Sequence, residues 1–180
     1  MKPVIIAIVG PSGSGKTTMA EYLKKYYGIQ TIVSYTTRPI REGEQQGREH
    51  KFVTEDAMPP KNEMMAYTQF GGYHYWATHA QAREHGICTY VIDEKGLIML
   101  AEQYATQYQL YPILIKMDAQ KLQASPERIA RDNDRIQLND AWYQQIIYNN
   151  GTIEEFWEQI ETIFDELIES NPLFTSLKNR

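Results

Sequence analysis

The residues with the clearest chemical pattern lie near the start of the chain, between Gly10 and Thr17. This run, GPSGSGKT, matches G-x-x-x-x-G-K-[ST] at every fixed position. Glycines in such a loop let backbone N–H groups approach phosphate oxygens, and the N-terminus of a following helix attracts the same anion. The lysine can reach the β- and γ-phosphates, and the next hydroxyl can ligate Mg²⁺. The pattern therefore predicts nucleotide binding, with Lys16 as a catalytic cation and Thr17 as the metal ligand.

The hydrophobic pattern predicts the elements that must position this loop. Val4–Val9 is a continuous apolar run, typical of a strand buried on both faces, and a helix is expected from about Lys16 to Tyr26. Further strands are predicted at 31–34, 88–92, 111–116 and 145–148, separated by helical patterns at 94–105, 119–137 and 152–169. Strands that alternate with helices predict an α/β fold with a five-stranded parallel sheet flanked by helices.

The stretch between Tyr35 and Thr78 interrupts this alternation. It contains two β-prone runs, 64–70 and 73–78, on either side of Gly71 and Gly72, which is typical of a hairpin. Two consecutive prolines at 59 and 60 argue against a long helix in its middle. We therefore expect a small insertion beside the core sheet, where a second substrate would bind.

Composition narrows the classes of protein that this chain can represent. The chain has 180 residues with 42% hydrophobic and 23% charged side chains, which suits one globular domain. Its single cysteine excludes a disulfide framework and a cysteine-rich zinc module, and it suits a reducing compartment. The early apolar run is too short for a membrane span. We expect a cytoplasmic protein.

The net charge of −5 is concentrated in one segment. Residues 152–169 carry seven carboxylates and no basic residue, alongside an apolar stripe at helical spacing, so we expect a helix with a solvated acidic face. No segment carries the dense basic field that duplex DNA or an anionic membrane would require. The expected partners are therefore small-molecule nucleotides, and the sequence gives no oligomeric state.

Two further segments resemble the signature of guanylate kinases. These are VSYTTRPIREGEQQG at 33–47, followed by Phe52 and Val53, and QFGGYHY at 69–75. The phosphate loop also fits the family's form, and the resemblance is detailed between residues 3 and 93 but loose beyond about 117. It implies one P-loop nucleoside-monophosphate-kinase domain over 1–180. The core would be about 1–34 and 79–180, the monophosphate-binding insertion about 35–78, and a short lid about 125–140.

The resemblance also implies an activity and a set of site residues. The activity is Mg²⁺-dependent transfer of the ATP γ-phosphoryl group to a nucleoside monophosphate, GMP or dGMP. Planar guanidinium groups grip a phosphate through two hydrogen bonds, which suits arginines in the acceptor site. The implied substrate-binding residues are Ser34, Arg38, Arg41, Glu44, His50, Tyr75, Thr78 and Asp93. The implied ATP-binding residues are Gly10, Pro11, Ser12, Gly13, Ser14, Gly15, Lys16, Thr17, Thr18 and Asn149.

Three positions depart from the family pattern. The family's guanine-reading glutamate falls at Ala66, and a serine or threonine that helps to read guanine falls at Ala77. Thr78 could replace the latter after a local shift. A phosphate-binding tyrosine of the family is His50. We predict that the catalytic groups are retained and that recognition of guanine is weakened.

Three arginines in the lid segment share one helical face. Arg128, Arg131 and Arg135 stand at i, i+3 and i+7, within about 60° of one another on a helix. Lid arginines in this fold class stabilise charge on the transferring phosphoryl group, so we predict that these act in catalysis with Lys16 and Arg38. The alternative is a solvated face in which Asp132 and Asp134 pair with the arginines.

Two other functions remain open at this point. The altered base pocket and short lid favour a small-metabolite kinase on the same scaffold, such as a ribose 1,5-bisphosphate phosphokinase, whereas the intact segment 36–47 opposes it. A non-catalytic, guanylate-kinase-like interaction module is the second alternative. The intact phosphate loop opposes that alternative, since such modules have typically lost it.

Overall fold

The computed structural model describes residues 2–122, 132 and 135–177, and its elements follow one another along the chain as strands and helices. The strands are β1 (Val4–Val9), β2 (Gln30–Ile32), β3 (Tyr35–Thr36), β4 (Lys51–Phe52), β5 (Met64–Phe70), β6 (Tyr73–Thr78), β7 (Ile87–Val91), β8 (Gln109–Lys116) and β9 (Gln145–Tyr148). The helices are α1 (Lys16–Tyr27), α2 (His79–His85), α3 (Glu94–Tyr104) and α4 (Ile153–Ser170). Short 3₁₀ turns lie at Glu55–Ala57, Lys61–Glu63, Ala119–Lys121, Asp140–Trp142 and Thr175–Leu177.

Five strands form the parallel core sheet that the sequence predicts, in the order β2-β7-β1-β8-β9. The central strand β1 is buried along its whole length, as its continuous apolar sequence requires. Ile8 pairs with Val91 on one side and with Ile113 on the other. The carboxyl ends of β7, β1 and β8 therefore meet at one edge of the sheet, which is where open α/β sheets bind ligands.

Helices cover both faces of this sheet because successive side chains of β1 point in opposite directions. Ile6 and Ile8 pack in a cluster with Leu23 of α1 and Phe156 of α4. On the opposite face, Ile5 packs in a cluster with Leu100 of α3. The acidic residues of α4 are exposed, as the sequence predicts. Among the described residues, no helix is both long and apolar enough to cross a membrane.

A second, four-stranded sheet is formed in the stretch that interrupts the alternation, in the order β4-β3-β6-β5. β5 and β6 are antiparallel and are joined at Gly71 and Gly72, whose φ angles are 57° and 80°, so the predicted hairpin is confirmed. The register shifts between Met65 and Thr68. Within this irregularity Ala66 has a φ of 51°, a left-handed conformation that is uncommon for a residue other than glycine.

Two helical segments differ from the sequence prediction. α2 was not predicted, although Thr78 and Gln81 form the capping box at its start. The predicted helix 119–137 is wrong at both of its described ends. Ala119–Lys121 is a 3₁₀ turn followed by extended backbone at Leu122, and residues 135–139 are not helical. Arg135 is held there by a distant ion pair with Glu94, a contact that local sequence does not predict.

Candidate active site

The phosphate loop connects the buried strand β1 to helix α1 and packs closely against two neighbouring segments. A Cβ atom on Gly10 would lie 2.6 Å from the carbonyl oxygen of Ile115, and one on Gly15 would lie 2.7 Å from Nδ2 of Asn149. Gly15 also has a φ of 101°, in the left-handed region. Glycine is therefore required at position 10 by the close approach of a backbone oxygen, and at position 15 chiefly by its left-handed backbone.

Lys16 begins α1 and its side chain folds back across the loop. Its Nζ donates hydrogen bonds to the carbonyl oxygens of Gly10 at 2.9 Å and Pro11 at 2.7 Å. Thr17 in the next position is exposed, and Thr18 is half-buried. The ammonium group thus lies over the loop backbone, where a phosphate-binding lysine must act.

Asn149 joins this loop to the end of the core sheet. Its Nδ2 donates to the carbonyl oxygen of Ser14 at 2.9 Å, and its backbone N–H donates to the carbonyl oxygen of Lys116 at 2.9 Å. The Ser14 Oγ is buried and has no hydrogen-bond partner among the described residues. The structure therefore places Asn149 against the phosphate loop, as a support for its backbone.

A carboxylate that the sequence did not identify as a site residue also contacts the loop. Asp132 accepts hydrogen bonds from the Ser12 N–H at 2.6 Å and from the Ser12 hydroxyl at 3.2 Å. The sequence predicted Asp132 only as an alternative partner of the lid arginines. No sequence motif indicates this contact, since 120 positions separate the two residues.

Arg135 is the only predicted lid arginine among the described residues, because Arg128 and Arg131 lie outside them. Its Nε donates to Glu94 Oε2 at 2.9 Å, and its Nη2 donates to Glu94 Oε1. Glu94 is 5% exposed, so this is a buried, two-point ion pair. Sequence reasoning missed Glu94, whose only signal is an acidic residue directly after Asp93 at the carboxyl edge of the sheet.

A groove of about 490 Å³ lies between the phosphate loop and this segment. It extends from Pro11 past the end of β8 and is bordered by Tyr143, Tyr148 and Asn150. Three aspartates line it: Asp118, Asp132 and Asp140. Asp118 accepts a hydrogen bond from Asn150 at 3.2 Å, and Asp140 pairs with Lys116 at 2.9 Å. The groove adjoins the phosphate loop and could receive a nucleoside attached to phosphates on that loop.

The acceptor side is built around a buried arginine in the second sheet's segment. Arg38 is 6% exposed, and its two terminal nitrogens donate to the two oxygens of Glu44 at 2.8 and 2.9 Å. Glu44 also accepts a hydrogen bond from the backbone N–H of Arg41 at 2.9 Å, while the Arg41 side chain is exposed. The hydrogen bonds from Arg38 lower the pKa of Glu44 to about 2. Glu44 therefore fixes the orientation of the Arg38 guanidinium, whereas the Arg41 guanidinium remains exposed to solvent.

Three more predicted substrate residues lie around Arg38. The hydroxyl of Ser34 is 2.8 Å from Nδ1 of His50, and the rings of His50 and Tyr75 meet edge to face with centroids 5.7 Å apart. Burial, followed by the nearby charge of Arg38, lowers the pKa of His50 to about 4. Burial opposes ionisation of Arg38, but the hydrogen bonds and charge of Glu44, with a smaller contribution from Tyr75, raise the pKa of this arginine. His50 is therefore neutral at pH 7.

The positions that would read a base are apolar or already engaged. Ala66 and Ala77 are buried in a cluster with Leu100. The Thr78 hydroxyl donates to Gln81 Oε1 at 3.3 Å as part of the cap of α2. Asp93 is exposed, and its Oδ1 accepts the N–H of Gly96 at 2.8 Å as the cap of α3. Thr78 is thus committed to the fold, and only one of the two carboxylate oxygens of Asp93 takes part in the cap of α3.

The described residues offer few ligands for a metal ion. They contain no group of three or more histidine, cysteine, aspartate or glutamate side chains that could hold one. The exposed Thr17 hydroxyl beside Lys16 remains the available ligand on the phosphate loop. This sparse set fits Mg²⁺, which commonly takes most of its ligands from substrate phosphates and water.

Comparisons with known proteins agree with this geometry. The model of the guanylate kinase family matches residues 1–177. Guanylate kinase from Sus scrofa is 24% identical over 92% of this chain and 93% of its own length. The Homo sapiens protein is 30% identical over 73% of this chain and 68% of its own length. Other alignments are shorter: this chain spans 37% of the length of the Nitrobacter winogradskyi guanylate kinase, at 36% identity.

A solved structure has the same fold. The crystal structure of guanylate kinase from Anaplasma phagocytophilum superposes with a TM-score of 0.64 over 94% of this chain and 96% of that one, at 22% sequence identity. The predicted mixed α/β architecture is therefore confirmed over nearly the whole chain.

Proposed function

Because its family model matches residues 1–177, this chain belongs to the guanylate kinase family, and we propose that it is a cytoplasmic, ATP-dependent nucleoside monophosphate kinase. The proposed acceptor is GMP or dGMP. The observation that carries the proposal is the phosphate loop, in which Lys16 lies across the backbone between β1 and α1. The family match does not favour a small-metabolite kinase or a non-catalytic module.

The proposed mechanism is direct in-line transfer of the γ-phosphoryl group, without a covalent intermediate. The N–H groups of the phosphate loop and the Lys16 ammonium hold the donor phosphates. Arg38, oriented by Glu44, holds the acceptor phosphate together with Arg41 and Tyr75. Catalysis then consists of positioning the two phosphates and of stabilising negative charge between them.

The lid residues and the metal complete the proposed site. Arg128, Arg131 and Arg135 would supply further positive charge, with the lid at about 125–140, the monophosphate-binding insertion at about 35–78 and the core around them. Arg135 must exchange at least part of its pairing with Glu94 to reach a phosphate. Mg²⁺, held by Thr17 and the donor phosphates, would neutralise charge on the β- and γ-oxygens.

The acceptor base would contact few polar groups of this protein. Of the side chains implied near the base, Asp93 keeps a polar group, whereas Ala66 and Ala77 offer none. A charge-assisted hydrogen bond contributes about 1.5–3 kcal/mol, so loss of the carboxylate at position 66 removes roughly ten- to a hundredfold of base preference. We therefore propose a guanylate kinase with weaker discrimination among bases than a member that retains the glutamate.

The experiment that tests this function is a coupled assay of ADP release across a panel of acceptors. The panel comprises GMP, dGMP, AMP, CMP, UMP, dTMP and ribose 1,5-bisphosphate. We expect the highest kcat/KM with GMP or dGMP, and measurable turnover with at least one other nucleotide. Turnover with ribose bisphosphate alone, or with none of the panel, would contradict the proposal.

A further inference from the structure

The carboxylate of Asp132 binds where an anion is expected to bind on the phosphate loop. It accepts hydrogen bonds from the backbone N–H of Ser12 at 2.6 Å and from the Ser12 hydroxyl at 3.2 Å. A carboxylate oxygen and a phosphate oxygen accept hydrogen bonds from the same kind of donor. Two donors from one residue converge on one carboxylate, so the loop holds a protein anion in the position of a ligand anion.

The backbone carbonyl of Asp132 makes a second contact, separate from that of the carboxylate. The carbonyl oxygen of Asp132 accepts the N–H of Arg135 at 3.2 Å, and Arg135 makes its two-point ion pair with buried Glu94 at the start of α3. The carboxylate therefore reaches Ser12 from a segment that is tied to the core a few residues away. This tether raises the local concentration of the carboxylate at the loop.

We propose that Asp132 competes with the donor nucleotide for the phosphate loop and thereby sets its affinity. This inference rests on the proposed function, in which the loop binds the phosphates of ATP. Two anions cannot share the Ser12 donors, so the carboxylate must leave before a phosphate binds. An apparent dissociation constant rises as the competent fraction falls. A contact formed in about nine of ten molecules weakens donor binding about tenfold, equivalent to about 1.4 kcal/mol.

The opposite role for Asp132 would be to assist donor binding as a ligand of Mg²⁺ or of its water shell. The two roles predict opposite signs for loss of the carboxylate. Removal of a competitor tightens binding of the nucleotide with or without the metal. Removal of a metal ligand weakens binding, and only when Mg²⁺ is present.

Calorimetric titration of the full chain with ADP and with inorganic pyrophosphate distinguishes these roles. Each titration is run in EDTA and again with Mg²⁺, on the wild-type protein and on Asp132→Asn and Asp132→Ala. Asp118→Asn is the matched control for the pyrophosphate titrations, because Asp118 lines the same groove and its replacement removes the same charge. Asp118 makes its side-chain hydrogen bond with Asn150.

We expect both Asp132 variants to bind ADP and pyrophosphate about tenfold more tightly in EDTA. Asp118→Asn should bind pyrophosphate, which carries no nucleoside to occupy the groove, within about twofold of wild type. The gain should appear with pyrophosphate because the competition concerns the phosphates and not the base. The apparent Tm without ligand should fall slightly in the Asp132 variants, while the shift on adding ADP should grow.

Unchanged or weaker binding by folded Asp132 variants would overturn the inference, and so would an equal gain in pyrophosphate affinity in Asp118→Asn. A loss confined to the titrations with Mg²⁺ would assign Asp132 to the metal instead. If wild-type protein bound neither ADP nor pyrophosphate, the proposed function itself would fail. The two failures are therefore distinguishable.

Discussion

Arg38 and Glu44 face each other across a tight loop, with two parallel hydrogen bonds of 2.8 and 2.9 Å between guanidinium and carboxylate. Both side chains are nearly buried, with exposed fractions of 7% and 9%. Surface ion pairs contribute little to stability, but this geometry fixes the plane of a planar group whose proposed ligand is a phosphate. We interpret Glu44 as the residue that orients Arg38, which accounts for its position in the implied substrate set.

The first prediction concerns Glu44. Glu44→Gln keeps the shape of the side chain but removes the charge that aligns the Arg38 guanidinium, so the monophosphate should bind less well. We expect KM for the acceptor to rise about tenfold while KM for ATP stays within about twofold. Steady-state kinetics with each substrate varied in turn measures both values.

The control for this prediction is Glu42→Gln, which removes the charge of an exposed residue of the same loop. It should leave both KM values close to those of the wild type. Equal losses for ATP and acceptor in Glu44→Gln would contradict the assignment of Arg38 to a separate acceptor site.

The second prediction concerns the pH dependence of stability. The pKa of His50 is about 4 in the folded protein, below its ordinary value of 6.5, chiefly because the ring is buried. Between these two values the unfolded chain binds more protons than the folded one, so stability must fall as the pH is lowered from 6.5 to 4. His50→Gln should remove this part of the loss, on the order of 1–3 kcal/mol.

Urea unfolding at several pH values measures how the free energy of unfolding changes with pH, that is, its slope between pH 4 and 6.5. The proteins compared are the wild type, His50→Gln and, as a control histidine, His85→Gln. His85 lies at the end of α2, away from the Ser34 contact. The slope should flatten in His50→Gln only. Parallel curves for all three proteins would show that His50 does not gain its proton on unfolding.

The third prediction compares two buried alanines of the same apolar cluster, Ala66 and Ala77. Ala66 has a φ of 51°, which glycine adopts more easily, whereas Ala77 is an ordinary strand residue. Ala66→Gly loses a buried methyl group but gains relief from the left-handed backbone. We expect its free energy of unfolding to change by less than about 0.5 kcal/mol, and that of Ala77→Gly to fall by about 1–2 kcal/mol. Equal losses in urea unfolding would show that the backbone at position 66 carries no strain.

The sequence predicted the parts of this fold that depend on local pattern. The buried strand β1, the phosphate loop and the hairpin at Gly71 and Gly72 each follow from residue types at fixed spacing, and each is present. Helix α2, which the sequence analysis does not predict, also has a local signal in the capping box of Thr78 and Gln81.

Contacts between distant residues could not be obtained in this way. Ser12 meets Asp132 across 120 positions, and Glu94 meets Arg135 across 41. Glu94 reaches the site because α3 begins at the carboxyl edge of the sheet, and Asp132 reaches it through a contact with Ser12 that no local pattern indicates. Residues 135–139 are not helical, and the Arg135 side chain pairs there with Glu94 of α3.

Transfer of the label from γ-³²P-ATP to GMP tests the central claim most directly, with wild-type protein and Lys16→Met compared. Lys24→Met, an exposed lysine of the same helix, is the control. We predict labelled GDP from the wild type and from Lys24→Met, and a rate at least a hundredfold lower for Lys16→Met, about 3 kcal/mol of barrier. Equal rates for wild type and a folded Lys16→Met would contradict phosphoryl transfer at this loop.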